Sequence, residues 1–316
     1  NLSSLECSYN QLTTMNLSGL GLSSLRGLSC GNNQLTSVNI SGMTSLENLN
    51  FSSNQLTAIS VSGLGNLKSI QCWANHLTTL NIASLNHLEI LWCYDNQLTS
   101  LNITGAMTSL FDLNCSQNQL TTLNIPTLVN LSQLRCSNNQ LTSLNTTNLV
   151  NLKIYECDQN QMTTLDVSGL PLLEYLSCTY NQLTSLTVAN LANLKGLSCN
   201  NNLLTSIDFT GLSSLTGLNF SYNNFPSADV SMIPNLKEIS VQNNQLTSLN
   251  VTGLTQLEQL LCMNNLLTSL NVAGLSSLRV LWCGFNQLTA IDLSGLNNLE
   301  QLACNNNQIT ALNVTG

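Results

Sequence analysis

The sequence predicts a β-rich repeat solenoid of about fifteen units of 21 residues, stacked as one curved array. A parallel sheet is expected on the concave face, with short strands or turns on the convex side. Three observations carry this expectation. First, the cysteines Cys7, Cys30, Cys72, Cys93, Cys115, Cys136, Cys157, Cys178, Cys199, Cys262, Cys283 and Cys304 are spaced by 21 residues or multiples of 21, apart from 23 before Cys30 and 22 before Cys115. Phe51, Phe220 and Val241 fill the three missing rungs. Second, an asparagine stands three residues after every rung, from Asn10 and Asn33 to Asn307. Third, apolar residues recur five and two positions before each rung and five, eight and ten after it, as in Leu88, Leu91, Leu98, Leu101 and Ile103.

A chain of 316 residues would ordinarily suggest two globular domains. Fixed-period self-similarity overrides that prior, so residues 1–316 are expected to form a single repeat domain. Composition narrows the classes further. Apolar residues are 43% of the chain, and at fixed spacing they are enough to bury a core. Apolar runs are only a few residues long, so no membrane-inserting helix is expected. A net charge of -8 with only seven Lys plus Arg argues against a nucleic-acid partner.

The unit reads LxxLxCxxNxLTxLxVxxL, which matches the leucine-rich repeat signature with Cys in its third Leu slot. With that cysteine and a 21-residue period, the chain resembles the cysteine-ladder bacterial leucine-rich repeat proteins of the internalin J type. The resemblance implies a non-catalytic binding or adhesion module, secreted or on the cell surface. The chain departs from internalins in lacking a recognisable helical N-terminal cap and a C-terminal immunoglobulin-like module. It opens on the LxxL of the first repeat and stops mid-repeat at Gly316, and so reads as a segment of a longer protein.

Each column has a physical reading. Core–solvent–core alternation from two before the rung to the rung itself marks a strand of the parallel sheet. A second alternation, as in Leu101-Asn102-Ile103, ends mostly on Val or Ile and marks short outer strands. Ser-Gly pairs such as Ser18-Gly19, Ser62-Gly63 and Ser168-Gly169 then turn the chain back. The asparagine column is expected to satisfy backbone groups of its own loop and of the next repeat.

The cysteines read as small buried hydrophobes in a reduced ladder. Zinc would need converging ligands, and no two cysteines are closer than 21 residues. Nucleophilic chemistry would need a partnered base, and the only histidines, His76 and His87, lie off the strand columns. Disulfides fit the rung spacing, but side chains pointing the same way from parallel strands suit them poorly. No metal or cofactor is expected. Many free thiols would ordinarily suggest the cytosol, whereas the resemblance implies the cell surface; the latter is preferred because buried thiols react poorly.

Four residues before the rungs stand Arg26, Glu47, Lys68, Glu89, then Lys153, Glu174, Lys195, then Lys237, Glu258, Arg279, Glu300. The alternating signs should pair neighbouring repeats and disfavour slips by one repeat. Six of the seven basic residues are absorbed in this way.

Function is left to the variable positions three and one before the rung and one and two after it. All three tryptophans fall there. Trp73, Ile90, Trp92 and Tyr94 form one expected patch; Leu261, Met263, Trp282 and Phe285 form another, and Tyr175 and Tyr180 lie between them in sequence. The same columns hold Glu6, Asp95, Asp112, Glu156, Asp158 and Glu238 against the single Arg135, an acidic face. A protein or carbohydrate ligand is expected there. The alternative is a structural spacer or filament segment with no ligand of its own. No paired carboxylates with a supporting base, phosphate loop or metal spacing indicates an enzyme, although Glu156 and Asp158 share a strand face.

Around the Phe220 rung, Phe225-Pro226 replaces Leu-Thr and Pro234 follows, which predicts a local bend. The triplets Asn16-Leu17-Ser18, Asn102-Ile103-Thr104 and Asn250-Val251-Thr252 match glycosylation acceptors, but they fall on a repeat column.

Overall fold

The computed structural model describes residues 1–105, 107–125 and 127–312, so Gly316 lies outside the described residues. Two compact units are present, Asn1–Gln161 and Met162–Gly316. In the first, the strands Ser4–Glu6, Gly27–Ser29, Asn48–Asn50, Ser69–Gln71, Ile90–Trp92, Asp112–Asn114, Gln133–Arg135 and Ile154–Glu156 follow one another in a parallel sheet. In the second, the order is Tyr175–Ser177, Gly196–Ser198, Gly217–Asn219, Glu238–Ser240, Gln259–Leu261, Val280–Trp282 and Gln301–Ala303. One strand per repeat gives the solenoid its fifteen rungs. No helix occurs among the described residues, hence none long and apolar enough to cross a membrane.

Register is constant because each repeat presents a large inward-facing residue at the strand centre, Leu in most, Ile70 and Ile239 in two and Tyr155 in one. Leu91 pairs with Leu113 and Ile70, and all three are buried. A slip of one residue would put the entire apolar set on the solvent face. The rungs Cys72, Cys93, Cys115, Cys136, Cys157, Cys178, Cys199, Cys262 and Cys283 are buried behind them, as are Phe51, Phe220 and Val241. Short outer strands close the far side of each unit: Thr14–Asn16 with Ser37–Asn39 and Thr79–Asn81 with Ser100–Asn102 in the first, Thr164–Asp166 with Ser185–Thr187 and Ser227–Asp229 with Ser248–Asn250 in the second.

The strand lies one residue earlier than the alternation predicts, running from three to one before the rung. The rung still extends the ladder, since the Cys93 N–H donates to Asn114 O at 2.9 Å. The chain then swings away because the residue two after every rung is left-handed, with φ between 51° (Tyr180) and 58° (Tyr9). Among residues with a side chain asparagine tolerates this conformation best, and Asn32, Asn138, Asn201, Asn243, Asn264 and Asn306 occupy it. Gly19 and Gly63 also turn with positive φ, whereas Gly169 does not.

The asparagine after this bend locks adjacent repeats together. Asn139 Oδ1 accepts from the Leu120 N–H at 3.0 Å, while its Nδ2 donates to Cys115 O and Cys136 O, both at 3.1 Å. Asn54, Asn75, Asn118 and Asn286 repeat the pattern. Each amide thereby satisfies groups of two repeats that the bend would otherwise leave unpaired. At the outer turns, Asn16 Oδ1 accepts from the Ser18 N–H and Asn250 Oδ1 from the Thr252 N–H, both at 3.1 Å, so both asparagines have a structural use. Around the irregular rung, Phe220 packs on Phe225 and Phe209, with ring centroids 4.6 and 6.1 Å away.

Ion pairs form along the charge column: Arg26–Glu47 at 2.7 Å, Lys68–Glu47 at 2.9 Å, Lys195–Glu174 at 2.5 Å, Lys237–Glu258 at 3.9 Å and Arg279–Glu300 at 2.8 Å. All lie at the surface, where solvent screens them, so their contribution is to register more than to stability.

Candidate functional site

The twelve cysteines are free thiols. Burial pushes Cys72, Cys115 and Cys199 up to about 12, and raises Cys93, Cys136 and Cys262 in the same direction. A thiol so raised is almost entirely protonated at neutral pH, and the protonated form is a poor nucleophile and metal ligand. Cys7 and Cys304 are half-buried. Among the described residues, no three His, Cys, Asp or Glu side chains are placed to hold a metal ion.

The variable columns tell more. In the first unit, Trp73 and Tyr94 follow successive rungs by one residue, and the ladder spacing brings their rings together. Their centroids are 5.3 Å apart and their planes only 4° from parallel. Burial, and then the adjacent Asp95 carboxylate, hold the Tyr94 phenol above its ordinary value. Trp92 leans the other way along the array, its Nε1–H donating to Asp112 Oδ2 at 3.1 Å. Asp112 also receives Arg135 Nη1 at 3.4 Å, and Arg135 Nε reaches Glu156 Oε2 at 3.5 Å. Gln133 Oε1 accepts from Arg135 Nη2 at 2.8 Å. Ile90, directly opposite Asp112 on the adjacent strand, completes the cluster.

Asp112 therefore lies on the strand face but is covered there by Trp92 and Arg135, and is only 6% exposed. Glu156 and Asp158 are half-exposed; the Asp158 N–H donates to Ser137 Oγ at 3.1 Å, and that hydroxyl donates to Asp158 Oδ2 at 3.4 Å, while Asp95 is exposed in the left-handed column. Trp73 and Tyr94 thus form one stacked pair, and Ile90, Trp92 and Asp112 form a group on adjacent strands, with Glu156 joined to it through Arg135.

In the second unit the grouping is looser. Leu261 and Trp282 pair across adjacent strands, and Trp282 is 37% exposed. Met263 is half-buried, while Phe285 stands exposed at the left-handed bend. Tyr175 and Tyr180 share a repeat but leave from opposite ends of it, at the strand start and at the bend. The Tyr175 ring lies over Gly196, its Cδ1 3.0 Å from where a β-carbon would be. Beyond it, Gly196, Ser198, Gly217, Asn219, Glu238 and Leu261 line a shallow groove of about 310 Å³.

Three residues of these columns are missing from the sequence reading of the site, Gln133, Tyr9 and Tyr222. Gln133 holds Arg135, which the sequence marks only as the lone cation of an acidic face. Tyr9 and Tyr222 are exposed aromatics in the same left-handed column as Tyr180 and Phe285, legible from their spacing to the rung.

A family model described as leucine rich repeats (2 copies) matches residues 23–65 and 276–315. Among solved structures, the chain is similar to the functional domain of InlJ from Listeria monocytogenes, which includes a cysteine ladder. The two share 30% identity with a TM-score of 0.86 over 94% of this chain and 66% of that one, so the chain spans just under two thirds of its length. It is also similar to YopM, a leucine-rich effector protein from Yersinia pestis (26% identity, TM-score 0.82, 99% and 86% covered). The internalin InlF from Listeria monocytogenes is another similar structure (25% identity, TM-score 0.71, 95% and 86% covered). Sequence comparison with curated proteins finds no match.

Proposed function

The chain belongs to the leucine-rich repeat proteins, in the internalin-like form with a cysteine ladder, and on that premise we propose that it is a non-catalytic binding module whose strand face takes up a protein ligand. The observation that carries this reading is the aromatic patch of Trp73, Trp92 and Tyr94. Large aromatics in columns that the fold leaves free are the usual anchors of an interface. The core, the asparagine lock and the charge column account for most other residues, whereas these rings belong to none of the recurring columns. A secreted or cell-surface location belongs to the same proposal. It is supported by the likeness to internalins and by thiols buried too deeply to be readily oxidised.

The even ladder of ion pairs supports a second reading, a rigid spacer. One experiment separates the two. Wild type and a Trp73→Ala/Trp92→Ala/Tyr94→Ala variant are screened against glycan arrays and cell surfaces. Binding lost in the variant supports the binding module on this face. Equal binding removes the patch, and no binding by either favours the spacer.

A further inference from the structure

The first unit's patch has a chemical character that narrows its partner beyond the general reading above, on which this inference rests. The stacked Trp73 and Tyr94 rings each cover one face of the other. Tyr94's remaining face is directed along the array toward the next repeat, where the equivalent position is Ser116 and the one after it Ser137. The Asp95 N–H donates to Ser116 O at 3.0 Å, so Asp95 borders this space. An aromatic face with small side chains ahead of it therefore opens beside the Asp95 carboxylate.

The charge balance points the same way. In this unit the variable columns hold Glu6, Asp95, Asp112, Glu156 and Asp158, with Arg135 the single cation. Arg135 is already engaged by Asp112 and Glu156. Arg26 and Lys68 lie on the edge column, tied to Glu47. The face has thus built one guanidinium site from its own residues, held between two carboxylates beside the Trp92 indole, and keeps the Asp95 carboxylate next to the stacked Trp73–Tyr94 pair.

We propose that this patch recognises a basic segment of a partner protein, with an arginine side chain stacked on Tyr94 beside Asp95. A planar guanidinium meets both demands at once, since it stacks on a ring face while its N–H fork reaches carboxylates. A lysine ammonium is a compact, more strongly hydrated charge and gains less from the ring. A neutral glycan would use the rings but draw nothing from the surplus charge, whereas the net charge of -8 steers a basic partner toward the chain.

The test uses acetylated, amidated hexa-arginine and hexa-lysine peptides, titrated against the full chain by tryptophan fluorescence and calorimetry. Hexa-arginine should bind at least about fivefold more tightly than hexa-lysine, the margin expected of a ring–guanidinium contact. Tyr94→Leu should abolish that margin, Tyr94→Phe should keep it, and Asp95→Asn should weaken both peptides. Circular dichroism and thermal melts confirm that each variant is folded. Equal affinity for the two peptides, or a margin that survives Tyr94→Leu, would overturn the inference. If hexa-arginine fails while surface binding is still lost in the Trp73/Trp92/Tyr94 triple variant, the binding face stands and its cationic specificity falls.

Discussion

The Trp92 indole N–H donates a 3.1 Å hydrogen bond to Asp112, a carboxylate on the neighbouring strand that is almost wholly buried. Asp112 is in turn reached by Arg135, so one buried acid fixes the orientation of both an aromatic anchor and the cation beside it. Replacing it with leucine leaves the indole N–H and the guanidinium without their shared acceptor. Asp112→Leu should lower stability by about 1–3 kcal/mol and broaden the Trp92 environment. A red-shifted tryptophan emission with a weakened near-ultraviolet dichroism signal would report it; an unchanged spectrum would show that Trp92 is held by packing alone.

The asparagine lock should be costly to break anywhere inside a unit. Asn139→Ala removes the acceptor for the Leu120 N–H and the donor for Cys115 O and Cys136 O. Two or more buried backbone groups left unpaired cost about 2–4 kcal/mol, read as a shift in the urea midpoint. The exposed Asn298→Ala, which removes a single bond to Ser276 O, should cost under about 1 kcal/mol. Equal effects would show that the column is not what joins the repeats.

The thiols should be present but silent. A disulfide-exchange reagent at neutral pH should react slowly with Cys7 and Cys304 and hardly at all with the ten buried cysteines. In denaturant without reductant the count should rise to twelve. A count near zero would mean that neighbouring rungs are bridged.

Acid should loosen the outer turns. Asp166 is held below its ordinary value by the Ser168 backbone N–H and hydroxyl, Asp208 by the Thr210 hydroxyl and N–H, Asp229 chiefly by the Ser231 hydroxyl, and Asp292 chiefly by the Ser294 N–H. A folded-state pKa depressed below the unfolded one means that the stabilisation is complete above the unfolded carboxylate value of about 3.9 and is lost as pH falls through the lower, folded value. The melting temperature of wild type should therefore fall more steeply below about pH 4 than that of a variant with all four residues changed to Asn, which mimics their neighbours in the same column. Parallel curves would discount these turns.

Much of the fold was legible because each of its main constraints acts between residues one period apart. A buried Leu at the strand centre, a small rung behind it and an asparagine three residues later recur at a constant interval, and equivalent residues meet their own kind across the ladder. The missed strand boundary has a local cause. Alternation of apolar residues continues through the rung, but the left-handed bend two residues beyond it begins to turn the backbone, and a bend occupied by Tyr, Ser, Ala, Gln and Phe as well as Asn has no composition to announce it.

The sequence by itself determined the solenoid, its parallel register, the thiol ladder and the alternating charge column, since all follow from periodicity and from which residue types tolerate burial. Only the tertiary structure decided what the irregular residues do. Column position tells which way a side chain leaves the backbone, but its contacts depend on the one neighbour it meets in the next repeat. Trp73 finds Tyr94 and stacks, Tyr175 finds Gly196 and lies flat over it, and Asp112, drawn between Trp92 and Arg135, is buried on a face where its column predicted exposure.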